Sequence, residues 1–197
     1  MANYNAIKYN GFSKGTLVLI KTLTASSSAT LSFVDGTSDV VLDSTYKEYM
    51  FIFNNIHPAT DNTALSFQGN ASGGSGYNET ITSTFFQAYH DEAGTDTSLG
   101  YRTSEDQAQG TDFQQLGYGV GNGNDESASG YLHLFNPSST TFVKHFISKV
   151  QVYHRSDFSY NMYSAGYFNT TSAIDEIQFK MSSGNIDAGT IQLFGVS

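Results

Sequence analysis

The 197-residue chain contains no cysteine, no tryptophan and only 2 prolines. Without cysteine it forms neither a disulfide nor a thiolate metal site, and no cysteine can serve as a nucleophile. Stability has to come from core packing and from contacts between chains. Charge is scarce too: Lys, Arg, Asp and Glu make up 14% of the chain, against about 25% in an ordinary globular domain. Long surface helices carry many such residues, so helical bundles and coiled coils are excluded. No apolar run approaches the ~18–20 residues of a membrane span, so no membrane insertion is expected. The opening stretch, Met1 to Asn10, lacks the apolar segment of a signal peptide. Nine basic residues against 18 acidic ones give a net charge of −9. Such a surface repels phosphate backbones, which rules against nucleic acid as a partner.

What the chain does have is 19 Gly, 13 Tyr and 15 Phe among many Ser, Thr, Asn and Gln. From Thr16 onward, short β-type runs alternate with turn clusters. Thr16–Leu23, Ala29–Val34, Tyr46–Phe53, Ala64–Gln68, Ile81–Tyr89, Phe113–Val120, Gly130–Phe135, Thr141–Tyr153, Met162–Phe168, Ile174–Met181 and Thr190–Val196 read as strands. In the third of these, Tyr49, Phe51 and Phe53 share the core face. In Thr141–Tyr153, Phe142, Phe146, Val150 and Val152 share the more apolar face. Asp175-Glu176 interrupts an apolar run and marks a bulge. About ten to twelve strands, with turn signals every 8–12 residues, predict a single all-β antiparallel domain over 16–197, a sandwich or a barrel. Residues 1–15 read as an extended N-terminal arm.

The chemistry-bearing residues form no catalytic signature. Asp91, Glu92, Asp96, Glu105, Asp106, Asp112, Asp125 and Glu126 crowd one stretch against Arg102 alone. Flexible carboxylates of this kind suit Ca²⁺. A solvated acidic surface is nevertheless the expected reading, since no D-x-[DN]-x-[DN]-G loop is present to favour the metal. Glu48 and Glu79 lie near Tyr49 and Tyr77, the surroundings a glycosidase acid would need, but sequence does not bring them together. His57, His90, His133, His145 and His154 are scattered; His133 and His145 flank the Asn136-Pro137 turn, where a cross-strand hydrogen bond is expected before a metal. Neither H-E-x-x-H nor G-x-S-x-G occurs, and the glycine run at 69–76 lacks the Lys-Ser/Thr and helix of a phosphate loop. No catalytic residue, cofactor site or metal site is therefore assigned. Tyrosines beside Asn and Gly make rigid amphipathic contact surfaces. Tyr77 and Asn78 in one loop region, and Tyr118, Asn122 and Asn124 in another, are the candidate ligand-contact residues.

Three stretches carry a resemblance. Asp43-Ser-Thr-Tyr46 leads into an aromatic strand and Asn55-Ile-His-Pro58. Gly130-Tyr-Leu-His-Leu-Phe-Asn-Pro-Ser138 follows, and Ala173-Ile-Asp-Glu-Ile-Gln-Phe179 then leads to Gly189-Thr-Ile-Gln-Leu-Phe-Gly195. Together they resemble small virion surface proteins of marine tailed bacteriophages. The resemblance implies a jelly-roll-like sandwich assembled as a homotrimer on the particle surface, with no reaction to catalyse. The implied partners are other virion proteins, either the major capsid protein or tail proteins. The expected role is capsid decoration, as a cement or head-fibre protein. The alternative is a tail-fibre or receptor-binding tip that holds a host-surface glycan. Tyr4, Ile7, Tyr9 and Phe12 would supply the apolar area by which the arm anchors the protein.

Overall fold

The structure, a computed structural model, describes residues 17–197; Tyr4, Ile7, Tyr9 and Phe12 of the expected arm lie outside the described residues. The described chain is all β, with thirteen strands and no helix. They are β1 (Leu17–Thr24), β2 (Leu31–Val34), β3 (Glu48–Pro58), β4 (Thr63–Ala71), β5 (Ile81–Asp91), β6 (Thr97–Tyr101) and β7 (Ala108–Gly110). The chain continues through β8 (Gln114–Val120), β9 (Ala128–Phe135), β10 (Lys144–His154), β11 (Phe158–Phe168), β12 (Ile174–Met181) and β13 (Ile186–Val196). All pairings are antiparallel.

Two layers result. A broad sheet runs β1-β13-β3-β9-β10-β11-β5, with β6 and β7 in tandem along the outer side of β5. A narrow sheet runs β2-β12-β4-β8 and touches the broad one through the single pair His154–Val120. The sub-orders β1-β13-β3-β9 and β2-β12-β4-β8 are the two interleaved four-strand sheets of a jelly roll, with β5–β7 and the hairpin β10–β11 as insertions that widen one layer.

Between the layers lies an aromatic core. Phe33, Phe67 and Phe179 from the narrow sheet meet Phe51 and Phe53 from the broad one, and Phe67 continues the cluster to Phe146 and Phe168. These rings are fully buried. The period-2 alternation produces this directly: in β3, Tyr49, Phe51 and Phe53 point inward while Glu48, Met50 and Ile52 face outward, half-buried. Gly117 matters where the layers close: a Cβ there would lie 2.9 Å from Val152 Cγ2 and 3.1 Å from Val150 Cγ1, so only glycine lets β8 settle on β10. The expected irregularity at Asp175-Glu176 is present as a register shift between β12 and β4.

Two expectations need correction. The strand read from Thr141 starts only at Lys144, and Phe142 is 68% exposed rather than inward. The amides of Thr141 and Phe142 donate to Ser139 Oγ, which holds those residues in the turn and off the ladder. β6 and β7 were not anticipated: β6 alternates over only five residues, β7 is three residues long, and both form on the free edge of β5.

Candidate interaction surface

The outer face of the broad sheet is unusually apolar, and strand register explains how. Tyr131 on β9, Lys149 on β10, Tyr163 on β11, Phe86 on β5 and Tyr101 on β6 are successive cross-strand partners, so one row crosses five strands. Phe86 and Tyr163 stack with centroids 4.8 Å apart and planes 6° from parallel. Lys149 Nζ sits 5.5 Å from the Tyr163 ring centre. The ring faces are thus engaged with one another, and the row presents ring edges as a ridge. Beside the ridge, Thr84, Ala165 and Ile147 line a trough of about 470 Å³ together with His145 and Tyr167. A second hollow of about 500 Å³ shares His145 and is bordered by the exposed Phe142.

Exposure confirms that nothing in the described chain covers this face. Leu99 is 74% exposed, Leu19 and Tyr101 52% each, and Leu17, Phe86, Tyr131 and Ile147 are exposed as well. With ~150–250 Å² per large apolar side chain, these residues and Phe142 offer on the order of 800 Å². The largest apolar patch on an ordinary monomer is about 300–600 Å², and a standard protein interface buries about 800 Å² per partner.

At the far end of the same face is a cleft of about 370 Å³, lined by apolar surface from Val152, Tyr153 and Phe158 together with His90, Asp91, Ser129, Gln151 and Ser159. Asp91 is spent on local structure: its carboxylate accepts from the Thr95 hydroxyl and from the amides of Thr95 and Asp96. The Thr95 hydroxyl and these amides hold its pKa down to about 2. Desolvation, with Glu92 and Asp157 close by, pushes the Tyr153 phenol up to about 12.

The residues singled out from the sequence do not converge. Tyr77 donates its hydroxyl to Glu176 Oε2 at 2.8 Å and leans on Phe113. Tyr118 donates to Gln87 Oε1, and Arg102 lies 5.2 Å from its ring centre. Both phenols are raised by burial, Tyr118 to about 12. Asn78 and Asn124 are exposed, and Asn122 Nδ2 donates to the Ala59 carbonyl at 3.4 Å. The loop of Tyr77 and Asn78 follows the end of β4 at Ala71, whereas Asn122 and Asn124 follow Val120, which pairs with Thr63 at its start. The two loops therefore sit at opposite ends of the sandwich, separated by roughly 26 Å of strand at ~3.3 Å per residue.

Glu48 lies on the outer face, 3.1 Å from His133 Nε2, while Glu79 Oε1 accepts from the Ala71 amide in the loop beyond the narrow sheet. His133 and His145 make no mutual hydrogen bond: the register places His133 opposite Ile147, and His133 lies tilted against Phe135 while His145 meets Tyr167 edge-on. Among the described residues no three His, Asp or Glu side chains are grouped to hold a metal ion. Elsewhere in the acidic stretch, Glu105 accepts from Arg102, Asp106 from the Tyr101 hydroxyl, and Glu126 from the Gly123 amide.

Of the residues that matter most here, Tyr101 and Tyr163 belong to the tyrosines expected to form contact surfaces, whereas Leu19, Phe86, Leu99 and Ile147 were not anticipated. The one readable signal was the second face of the β10 segment, where His145, Ile147 and Tyr153 alternate on the side set aside as less apolar. The fold and this surface define a class: a jelly-roll sandwich whose wider sheet carries an open apolar face. Compared with protein families, characterised proteins and solved structures, the chain matches no family model, no curated protein and no solved structure.

Proposed function

We propose that this protein is a structural component of a bacteriophage particle surface, a capsid decoration protein that works as a homotrimer bound to other virion proteins. The observation that carries the assembly is the open apolar face of the broad sheet. About 800 Å² of apolar side chain facing water is a cost that a soluble chain removes by packing against protein. Because the ring faces of Phe86 and Tyr163 already cover each other, the ridge offers edges that interdigitate with side chains better than flat platforms that stack on sugars. The phage assignment rests on the sequence resemblance, and the expected location is the virion surface. Gold-labelled antibody against the chain should decorate the capsid shell of intact particles. Labelling confined to tail tips, or to host material with particles unlabelled, would refute capsid decoration.

The cleft that sets the Tyr153 and Phe158 rings beside the polar groups of His90, Gln151 and Ser159 favours a second reading, a tail-fibre tip that holds a host-surface glycan. Saturable binding on a glycan array, abolished by Tyr153→Ala, would select it. Tyr77 and Tyr118 are poor probes of this reading, because their hydroxyls already serve Glu176 and Gln87.

A further inference from the structure

The chain holds two Asn-Gly pairs. Asn10-Gly11 lies outside the described residues; Asn122-Gly123 lies in the loop between β8 and β9. Such a pair is chemically labile. The backbone nitrogen of the second residue can attack the asparagine carboxamide carbon, and glycine puts no side chain in the way of ring closure. Asn122 is exposed, and its Nδ2 donates to the Ala59 carbonyl at a long 3.4 Å. The electrophile is therefore open to water and weakly held. The nucleophile is not. The Gly123 amide donates to Glu126 Oε2, and the Glu126 amide donates back to the Gly123 carbonyl at 3.0 Å, so the turn closes on itself. A Cβ at Gly123 would stand 2.8 Å from Glu126 Oε2, which shows how closely the carboxylate is seated on that backbone. His57 Nδ1, on β3, lies 2.7 Å from the Glu126 carbonyl oxygen and ties the residue carrying the clamp to the sheet.

We propose that Asn122 is a self-modification site, deamidated through its own backbone, and that the Glu126 carboxylate restrains the reaction by holding the Gly123 N–H. The Gly123 nitrogen bonds to Asn122 Cγ as the Cγ–Nδ2 bond breaks. The Gly123 proton passes through solvent to the leaving nitrogen, which departs as ammonia and leaves a succinimide ring. Water then opens the ring at either carbonyl, giving aspartate or isoaspartate at position 122. An N–H bonded to a carboxylate is hard to deprotonate, because removal of the proton sets two anions against each other. Loss of the clamp frees the nucleophile. The product adds a carboxylate beside Asp125 and Glu126 and turns an acceptor, in place of a donor, toward the Ala59 carbonyl, so modification loosens this loop from the end of β3.

The test follows conversion at position 122 by peptide mass spectrometry while the full chain stands in mildly alkaline buffer. The native chain, the same chain unfolded in urea, and the Glu126→Ala and Glu126→Gln variants are compared, with far-UV circular dichroism to establish which variants are folded. The proposal expects the native chain to convert slowest. Folded Glu126→Ala should convert roughly ten- to hundredfold faster, the range that a hydrogen bond to a charged acceptor is worth. Glu126→Gln keeps a neutral acceptor of the same size and should fall between the two. Folded variants that convert no faster than the native chain would overturn the proposal. If neither variant folds, the native and unfolded rates decide it. A native chain well below the unfolded rate supports the clamp; one that matches or exceeds it overturns the clamp, because the carboxylate would then be leaving the nitrogen free or drawing off its proton. No conversion in the unfolded chain would remove the site itself.

Discussion

Replacing Phe179 with alanine should be among the most damaging substitutions in the chain. Phe179 stands on the narrow sheet, fully buried, with ring centroids 5.3 Å from both Phe51 and Phe53, 6.2 Å from Phe33 and 6.3 Å from Phe67. Two of those rings belong to the opposite sheet, so the side chain ties the layers together. A buried Phe→Ala change costs about 3–5 kcal/mol through lost transfer energy and a residual cavity. Each aromatic pair adds about 0.5–1.5 kcal/mol beyond area, and neighbours anchored in two sheets cannot collapse into the hole. We expect about 4–5 kcal/mol for Phe179→Ala and about 2–3 kcal/mol for Phe179→Leu, which keeps most of the volume and loses only the ring contacts. At ~2–4 °C per kcal/mol for a domain of this size, the alanine variant should melt ~10–15 °C lower. The assay is guanidinium unfolding followed by far-UV circular dichroism, since no tryptophan is available, at one fixed chain concentration because assembly adds to apparent stability. An alanine variant losing less than ~2 kcal/mol would refute the reasoning. So would a leucine variant as damaged as the alanine one.

Two further outcomes follow from buried polar groups. Burial raises the Tyr49 phenol from 10.0 to about 12, with its hydroxyl donated to the Asp43 carbonyl at 3.0 Å. The folded state thus keeps a proton that the unfolded chain releases, so the associated stability is complete below pH 10 and drains as pH rises toward 12. It amounts to a few kcal/mol at ~1.36 kcal/mol per pH unit. Denaturant midpoints should fall across that window, and Tyr49→Phe should flatten the fall; an unchanged slope would refute the assignment. Lys144 is fully buried, and its Nζ donates to the Phe142 and Thr170 carbonyls at 3.0 and 3.1 Å, joining the turn before β10 to the loop after β11. Lys144→Met should cost about 1–3 kcal/mol, because two carbonyls lose a charged donor while the stem volume is kept. Urea unfolding reads this directly, and a neutral or stabilising result would show that burying the ammonium costs more than its bonds return.

The sequence revealed the layers better than the surface. In β3 the alternation is clean because inward Tyr and Phe contrast with Glu48 outward, and the period-2 pattern carries that contrast without help from any other strand. β6 could not be read this way: Leu99 and Tyr101 alternate with Ser98 and Gly100 over only five residues, both stay exposed, and the conformation rests on pairing with β5. The same reason hides the exposed apolar face. Phe86, Tyr101 and Tyr163 become neighbours only through the register of β6, β5 and β11, which no local pattern reports. The engagement of Tyr77 and Tyr118 was hidden for the converse reason: glycine-rich surroundings suggested open loops, while the groups that take their hydroxyls, Glu176 and Gln87, lie far along the chain.

The central claim is that the broad sheet's apolar face exists to be covered by protein, and sedimentation equilibrium of the full chain at micromolar concentration tests it most directly. The account predicts a species about three times the 21.4 kDa chain mass, reduced to a folded single chain by Leu19→Asp combined with Leu99→Asp. A native protein that sediments as one 21.4 kDa chain and remains soluble with its leucines exposed would contradict it.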